Sequence, residues 1–511
     1  MKGMRTSYII SCMALLLAAE HAVAQRTDTL GVLERVERHD SRMTDIGKSV
    51  YDNPALKQFM QAYSYTVVNV GYALDNKSDA VCSMYGKGSD AMSFNVGSYI
   101  KHNNATLWGE GEYTAGKRRS PVWNEVADAE LVYPYITADA VGGDMDNETY
   151  RFLGGYSSYN GRLAWGAMLG YTAGHHYRDV DPRPRNITGR LDLSAGVAYR
   201  IAGRSVFAVG GDFMKYKQTG DIDFMSELGQ TTVYHLTGLG TDYVRFRGNG
   251  FTTHYDGEQY GVQVNVTPEK GNGILATLHL QRMTLETVLD DMNKLPLNSI
   301  WHNSLEAGLG YRHVGRTSWG ATLESEIYRR HGTENLFGDA ASSVYPQIGA
   351  VEMYADNAYM VSLRGLIEHK FGNVVLSYEP LFGYSHRCQI YAEPEREWLI
   401  NNWNMEHSVR MYSLYCRRWH GMAELSWALY RPVSSHLTVE NPESSESGLL
   451  DTVYSDFMYA SSARRSYSAK YNIRYAVSRN NALQLSLYYR HDSYAVSERG
   501  NVFCISAGLV F

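Results

Sequence analysis

Along most of this chain, apolar side chains alternate one for one with polar or small ones. Leu191, Leu193 and Val197, for example, are interleaved with Arg190 and Asp192. A period of two residues sends successive side chains to opposite faces of a β-strand. Charged groups on one of these faces cannot all enter a dry core, because burying an unpaired charge is too costly. The pattern therefore predicts strands with lipid on one side and water on the other, as in a transmembrane β-barrel.

The alternation and its breaks predict an all-β, antiparallel, up-and-down barrel of about 18 strands. Counts of about 16 or 14 also fit if one or two hairpins belong to loops, because residues 252–259 and 354–359 are hard to assign. The predicted strands lie near residues 64–74, 91–101, 104–114, 147–158, 162–174, 187–200, 205–217, 258–268, 273–286, 300–314, 317–330, 357–371, 373–387, 403–417, 419–433, 461–477, 482–497 and 500–511.

Short and long connections alternate between these strands. Asn160-Gly161, Gly372-Asn373 and Asn480-Asn481 are tight-turn sequences whose residues tolerate positive φ. Longer polar segments, such as 117–147 and 434–461, lie between such turns. Barrels with short turns at one end and long loops at the other have this arrangement.

Composition agrees with a barrel and leaves one alternative open. After residues 1–24, the sequence contains no run of about 18 apolar residues, which excludes membrane-spanning helices. The 40 tyrosines and 47 glycines against 12 prolines favour strands. A mean hydropathy of −0.35 is what strands with a single apolar face produce. A large soluble β-sandwich with one solvated face is the alternative.

Residues 1–24 are predicted to be a signal peptide. Lys2 and Arg5 precede an apolar stretch, and Ala22-Val23-Ala24 has the small-x-small pattern of a signal peptidase site. A retained anchor helix is the alternative. Cleavage after Ala24 would leave an N-terminal segment, residues 25–63, before a barrel of residues 64–511.

The N-terminal segment has a helical pattern instead of alternation. Asn53 and Pro54 fit an N-cap and a first helical position, and Leu56, Phe59 and Met60 follow at helical spacing. We expect a short helical element that closes the barrel from below, folds back into it as a plug, or stabilises the periplasmic rim.

The last strand carries the most specific motif. Phe503, Ile505, Ala507, Leu509 and Phe511 alternate with mostly small residues up to the C-terminus. Here the chain resembles outer-membrane β-barrel proteins, whose final strand ends in the same pattern with a terminal Phe. The resemblance implies that these five residues form the insertion signal for the barrel-assembly machinery. It also implies that lipid of the cell outer membrane surrounds the barrel.

Two Trp-Gly-Ala sequences, at residues 165–167 and 319–321, make the whole mature chain look like an uncharacterised outer-membrane barrel family of Bacteroidetes. This resemblance implies a location and a fold but no activity. In its layout the chain resembles fatty-acid-transporter-type barrels, whose short N-terminal segment plugs the pore. TonB-dependent receptors are a poorer match, because they need a large plug domain before the barrel.

No catalytic, metal or cofactor site is predicted. The sequence has no nucleophile elbow, zinc-protease motif, phosphate loop or dinucleotide fingerprint. At a net charge of −6 and without a basic stripe, nucleic acid is not an expected partner. His175 and His176 are assigned, with Arg183 and Arg185, to a stiff solvated loop. His491-Asp492 could imitate part of a hydrolase dyad, but no matching Ser is identified.

The charged residues that should point inward are the candidate functional residues. They carry both signs, which suits either a channel with a transverse internal field or a lumen filled by ion pairs. The predicted lumen-facing residues are Glu110, Glu112, Arg190, Asp192, Glu306, Arg312, Glu324, Glu326, Arg364, Glu368, Glu424, Lys470, Arg474 and Arg490.

A barrel of about 18 strands is wide enough for an aqueous path unless something fills it. We therefore predict a channel or transporter for a small solute, with the N-terminal segment as a gate. The second hypothesis is a structural or binding partner of another envelope complex, with the long loops as its contact surface. A barrel-embedded hydrolase is the third.

Overall fold

The computed structural model describes residues 30–201, 205–226, 230–340, 344–416, 418–496 and 498–511. The predicted signal peptide, residues 1–24, lies outside these residues.

Eighteen of the described strands form one closed antiparallel barrel. Each strand pairs with the barrel strand before it and the one after it, and the first strand closes the cylinder against the last. Numbered in chain order, the barrel strands are β1 (Tyr65–Lys77), β2 (Gly88–His102), β3 (Ala105–Arg119), β5 (Met145–Asn160), β6 (Leu163–Tyr177), β7 (Arg183–Ile201), β8 (Ser205–Asp223), β11 (Thr253–Pro268), β12 (Gly273–Leu289), β13 (Leu295–His313), β14 (Thr317–Phe337), β15 (Gln347–Phe371), β16 (Val374–Tyr391), β17 (Arg396–Cys416), β18 (Trp419–Val439), β19 (Arg464–Ala476), β20 (Ala482–Tyr494) and β21 (Arg499–Val510).

A second, three-stranded sheet lies in the long connections. Its strands are β4 (Thr137–Asp139), β9 (Val233–Gly238) and β10 (Thr241–Asp242). The α-helices are α1 (Val32–Asp40), α2 (Lys57–Met60), α3 (Ala129–Val132) and α4 (Ser447–Ala460), and short 3₁₀ turns include Arg42–Thr44, Lys48–Asp52 and Pro54–Leu56. Among the described helices, none combines the length and the apolar character needed to cross a membrane.

The predicted barrel of about 18 strands is confirmed, and every predicted strand overlaps an observed one. We call the end of the barrel that carries the long connections the loop end, and the opposite end the turn end. At the loop end, most observed strands extend beyond their predicted bounds. Residues 253–259 belong to β11 and residues 354–359 to β15. Strand pairing continues at the loop end after the outward side chains turn polar, so the hydrophobic alternation stops before the strands do.

One sequence assignment near the loop end is wrong for the same reason. His175 and His176 lie within β6, and Arg183 and Arg185 begin β7, not a solvated loop. His176 is opposite Asn186 in the ladder. The connection between β6 and β7 is therefore short and covers only residues 178–182.

The outer face of the barrel is a continuous apolar band. Phe152, Leu309 and Leu425 expose 60%, 59% and 66% of their surface on this face. Phe503 and Ile505 of the terminal motif are exposed on the same face, because they pair with the outward Leu74 and Tyr72 of β1. Apolar side chains in a contiguous exposed band of this size require a nonaqueous neighbour.

Candidate functional site

The N-terminal segment lies inside the barrel at the turn end. Asn53 Nδ2 donates to Asn265 Oδ1 on β11 at 3.0 Å, and Tyr99 on β2 donates through its hydroxyl to the Lys57 carbonyl at 2.7 Å. Asp40 contacts Arg474 on β19. Because these strands are far apart around the cylinder, a segment that reaches all of them occupies the lumen. We call residues 30–63 the plug.

The local sequence explains the shape of the plug. Asn53 caps the turn at Pro54–Leu56 by accepting a hydrogen bond from the Ala55 amide at 3.0 Å. In α1, Leu33 and Val36 are buried against the barrel wall at its β20 and β21 edge. The amphipathic spacing in the sequence thus corresponds to buried faces of short helical turns.

Plug contacts identify the inner face of the sheet, and the register extends this assignment to every strand. In an antiparallel ladder, directly opposed residues share a face. On this basis all fourteen predicted charged residues lie on the inner face. Their participation in binding or moving a solute remains a prediction.

Four of these fourteen residues hold the plug, namely Arg312, Glu368, Glu424 and Arg474. Arg312 donates to the Met43 carbonyl and to the Tyr51 hydroxyl, each at 3.3 Å. Glu368 accepts from the Ser41 hydroxyl at 2.8 Å. The lumen charges at the turn end therefore serve plug docking, and the remaining ten lie outside these contacts.

Asp40, the last residue of α1, forms one centre of plug docking. Its carboxylate lies 2.5 Å from Arg474 Nη1 and 2.9 Å from His420 Nε2. Burial by itself would raise the pKa of Asp40, but the charge of Arg474 and the hydrogen bond to His420 hold that pKa below its usual range. Asp40 is therefore charged and paired over the physiological range.

Arg42 forms the second centre, two residues later. Its guanidinium lies 2.8 Å from Glu379 on β16 and 2.8 Å from Glu424 on β18. Arg410 also pairs with Glu424, at 2.7 Å. The side chain of Arg42 is only 8% exposed, so these contacts form in a dry environment. A buried cation with two carboxylates fixes the plug against one side of the wall.

Three glycines on adjacent strands make room for the Asn53-Pro54 turn. A Cβ on Gly166 of β6 would lie 2.4 Å from the Pro54 carbonyl. On Gly196 of β7 it would lie 2.1 Å from Asn53 Oδ1, and on Gly210 of β8 2.9 Å from Asn53 Nδ2. Gly166 is the central residue of the first Trp-Gly-Ala sequence. Its function in this structure is to let the plug approach the wall.

Sequence reasoning missed the plug residues Asp40 and Arg42 and the wall residues Glu379 and His420. The alternation along 374–391 predicts that Glu379 points inward, because the apolar Leu376, Tyr378 and Phe382 occupy the alternate positions on the outer face. For Asp40 and Arg42 the sequence carries no comparable signal, because their partners are more than 300 residues away.

The loop end of the lumen is closed by a second element, which we call the cap. It consists of residues 120–144 and 230–252 together with α4. Trp123, Val132 and Tyr135 are buried in an apolar cluster with inward residues of the wall, among them Tyr216 and Tyr255. Leu239 of the cap packs with Tyr354 of β15 and Tyr391 of β16, and Arg330 of β14 donates to the Glu130 carbonyl at 2.8 Å, so the cap contacts the wall from β8 to β16.

A buried ion cluster organises the cap. Arg178 Nη2 lies 3.1 Å from Glu125 and 2.7 Å from Asp139, and all three side chains are at most 1% exposed. Burial, together with the charge of Asp139, raises the pKa of Glu125 well above its usual range. Glu125 is therefore held as the neutral acid next to Asp139, so a single cation neutralises the cluster.

The middle of the lumen is polar and largely neutralised by local pairs. Arg190 pairs with Asp192 at 2.9 Å, and Arg490 with Asp492 at 3.1 Å. Arg364 pairs with Glu379 at 3.4 Å. These short-range pairs agree with the interpretation of a lumen filled by ion pairs more than with a strong transverse field.

An acidic patch on β13 and β14 departs from this balance. Glu306 is directly opposite Glu326, and Glu324 lies two residues away on the same face. Within the described residues, no cation forms an ion pair with any of the three. This wall of the lumen therefore carries an excess of negative charge.

A cavity of about 450 Å³ lies above the plug on the opposite part of the wall. The lining is mainly polar. It includes His39, Asp40 and Asp45 of the plug and Tyr65, Asn69, Arg410, Lys470, Arg474 and Tyr488 of the strands. A small polar molecule would fit this space and would contact plug and wall together.

The described residues bring together no group of three or more His, Cys, Asp or Glu arranged to hold a metal ion. His491 and Asp492, neighbours on β20, point to opposite faces. His491 lies 2.9 Å from the outward Asn501, while Asp492 pairs with Arg490 inside. The two side chains therefore cannot act as a dyad on one substrate.

Over residues 54–511 the sequence matches a family described as "Family of unknown function (DUF6850)". It matches no curated protein. Among solved structures, the ferric preacinetobactin receptor BauA from Acinetobacter baumannii is 8% identical, with a TM-score of 0.41 and coverage of 88% of this chain and 80% of that chain. The ferric-catecholate import receptor Fiu from E. coli K12 is 8% identical, with a TM-score of 0.37 and coverage of 87% and 81%.

Proposed function

The chain belongs to the DUF6850 family, whose function is unknown, and from its geometry we propose that it is an outer-membrane transporter or channel for a small polar solute, gated by the plug. The observation that carries the proposal is the way the plug is held. Ion pairs and hydrogen bonds at Asp40, Arg42 and Asn53 dock it in the lumen. The plug also buries Ile46, Val50 and Leu56 in an apolar cluster with the wall, so its movement requires both these polar contacts and that cluster to break.

The apolar band supports a membrane location for this transporter. The motif of the last strand, from Phe503 to Phe511, has the pattern of an outer-membrane insertion signal. The strands also alternate between apolar outward and polar inward positions. With the tight turns in the periplasm, the plug would face the periplasm and the cap the cell exterior.

The lumen suits a small polar cargo. The cavity above the plug is bounded by side chains of both plug and wall, so a bound solute could change plug docking. The acidic patch at Glu306 and Glu326 favours cationic or neutral polar solutes over anionic ones in the middle of the path.

Reconstitution in planar bilayers tests the proposal. Because the plug and the cap occupy opposite ends of the lumen, we expect little conductance from the wild-type protein. Deleting residues 30–60 should raise conductance, and combining the deletion with Arg178→Met, which loosens the cap, should raise it further. If the double variant migrates as a folded barrel but conducts no ions, the proposal fails.

A second candidate function, a binding partner within an envelope complex, is favoured by apolar side chains at the loop end. Met225, Val244 and Ile348 are 67%, 64% and 70% exposed. Affinity purification from outer membranes separates this candidate from the first. Recovery of the barrel without a stoichiometric companion would count against a partner.

A further inference from the structure

A row of outward-facing polar residues crosses β12, β13 and β14 at the upper limit of the apolar band. Arg282 is opposite Asn303 in the ladder, and Asn303 is opposite Arg329. The next outward row toward the turn end is apolar throughout and consists of Leu280, Leu305 and Ile327. The two arginines thus occupy the boundary between the apolar and polar parts of the outer surface.

A groove of about 540 Å³ lies at this boundary. The three apolar side chains of the lower row and Tyr260 line it together with Arg282 and Arg329. Both arginines are exposed. Among the described residues, neither guanidinium has a hydrogen-bond or ion-pair partner, so two positive charges at the mouth of an apolar groove are uncompensated.

A neighbouring outward carboxylate, Glu258, does not supply the missing charge. Glu258 lies 2.9 Å from Lys215 Nζ and accepts a hydrogen bond from the Tyr260 hydroxyl at 3.0 Å. It is therefore engaged on the neighbouring strands. In the outward row above the groove, Trp301 and His331 stack with ring centroids 4.0 Å apart, which gives the groove a flat aromatic rim.

We propose that this groove binds the phosphate of an anionic membrane lipid, with acyl chains along Leu280, Leu305 and Ile327. The proposal rests on the outer-membrane location proposed above. Arginine binds phosphate oxygens in a bidentate manner. Arg282 and Arg329 are two strands apart, about 10 Å between Cα atoms, which two long side chains can bridge around one headgroup. A free anion would use the guanidinium groups but would leave the apolar floor uncovered.

Lipid titration of the purified full chain in detergent micelles tests this site. The probes are lipid A with its phosphates, the same lipid after phosphatase treatment, and inorganic phosphate as a competitor. The test variant is Arg282→Gln with Arg329→Gln. The matched control is Arg431→Gln with Arg465→Gln, which removes two exposed outward arginines on β18 and β19 that do not line the groove.

We expect wild type and control to bind phosphorylated lipid A at least tenfold more tightly than the dephosphorylated lipid, and the test variant to lose this difference. Inorganic phosphate should not displace the lipid. Equal binding of both lipids, equal loss in the control, or displacement by inorganic phosphate would each overturn the inference. Heat-modifiable migration checks that every variant is a folded barrel. If the wild type does not insert into liposomes, the proposed membrane location fails as well, which distinguishes the two failures.

Discussion

At the scale of single residues, Arg42 and Arg178 have similar roles at opposite ends of the lumen. Each is a buried guanidinium shared between two acidic side chains, Arg42 in the plug and Arg178 beside the cap. Removing one partner of a buried ion pair leaves uncompensated charge and costs about 3–5 kcal/mol. Replacing such an arginine should therefore release the element that it holds, while the barrel hydrogen bonds remain intact.

Arg42→Met should loosen the plug. Glu379 and Glu424 would lose their shared cation, so the amides of residues 32–60 should exchange with solvent at least a hundredfold faster, since about 1.4 kcal/mol corresponds to tenfold. Hydrogen exchange followed by mass spectrometry measures this rate. Arg38→Met, on the exposed face of α1, is the matched control and should change little. Unchanged exchange in the Arg42 variant would contradict the docking role.

Arg178→Met and Glu125→Gln should differ strongly although they alter the same cluster. The first leaves Asp139 buried without a cation, at a cost of about 3–5 kcal/mol to cap packing. The second replaces a carboxyl group that is already held neutral, so its effect should be below about 1 kcal/mol. Limited proteolysis of residues 120–144 in intact cells reports cap opening. Equal sensitivity of the two variants would show that Glu125 is charged.

At the scale of elements, the Asp456 carboxylate of α4 contacts the loop after β1. Asp456 accepts hydrogen bonds from the Ser83 amide at 2.9 Å and from the Ser83 hydroxyl at 2.6 Å. Burial raises the pKa of Asp456 from its ordinary 3.8 to about 6. Because the docked helix favours the protonated acid, docking is strongest at low pH and weakens as pH rises through about 6.

The docking of α4 should therefore depend on pH in a direction opposite to that of a salt bridge. After correction for intrinsic rates, amides of residues 447–460 should exchange several-fold more slowly at pH about 5 than at pH about 8. Asp456→Asn keeps the acceptor oxygen and removes the titration, so its exchange should be slow at both values. A wild-type profile that is flat across this range would refute the expected pKa.

The glycines of β6, β7 and β8 also act at the element scale, by shaping the wall for the plug. Gly166→Val should displace the Asn53-Pro54 turn, because the added Cβ would overlap the Pro54 carbonyl. We expect the plug to be released while the barrel persists, visible as higher conductance in a cap-loosened background. Gly154→Val on β5 is the control, since a Cβ there meets nothing within 4 Å. Equal conductance of the two variants would contradict the role of these glycines in making room for the plug.

At the scale of the whole molecule, barrel closure depends on the ends of the chain. β1 pairs with β21, and the Phe511 amide donates to the Thr66 carbonyl at 2.8 Å. The plug precedes β1 directly, so the seam of the barrel and the entry of the plug share the turn end. Closure of the cylinder and seating of the plug are therefore neighbouring events in assembly.

Deleting Phe511 should lower the yield of assembled barrel in the outer membrane several-fold, because it removes both the terminal aromatic side chain and the last hydrogen bonds of the seam. Heat-modifiable migration of the membrane fraction measures assembly. Phe511→Trp keeps an aromatic terminus and the backbone contacts and should assemble normally. Wild-type yield from the deletion would argue against the insertion signal.

Much of the fold could be predicted because strand periodicity is a local property. The alternation around Leu191 and Leu309 reports which face is apolar without knowledge of any partner strand. The turn at Gly372-Asn373 likewise depends only on local φ preferences. The loop-end extensions of β11 and β15 could not be predicted, because the regular alternation of apolar and polar residues is lost there and strand pairing with the neighbours maintains the strands.

The candidate site was predictable only in part, for a related reason. The two-residue alternation placed Glu368, Glu424 and Arg474 on the inner face. It could not show which of the fourteen charged residues contact the plug. The Asp40–Arg474 pair joins residues 434 positions apart. No local pattern encodes such a contact.

By itself, the sequence determined the barrel, its approximate strand number, its apolar outer face and the helical character of the plug, because each of these follows from side-chain periodicity or a local cap. Only the tertiary structure decided that the segment lies inside the lumen, that Arg42 and Asp40 hold it, and that the loops close the other end. These features depend on which distant residues meet once the sheet has closed, and closure is a property of the complete cylinder.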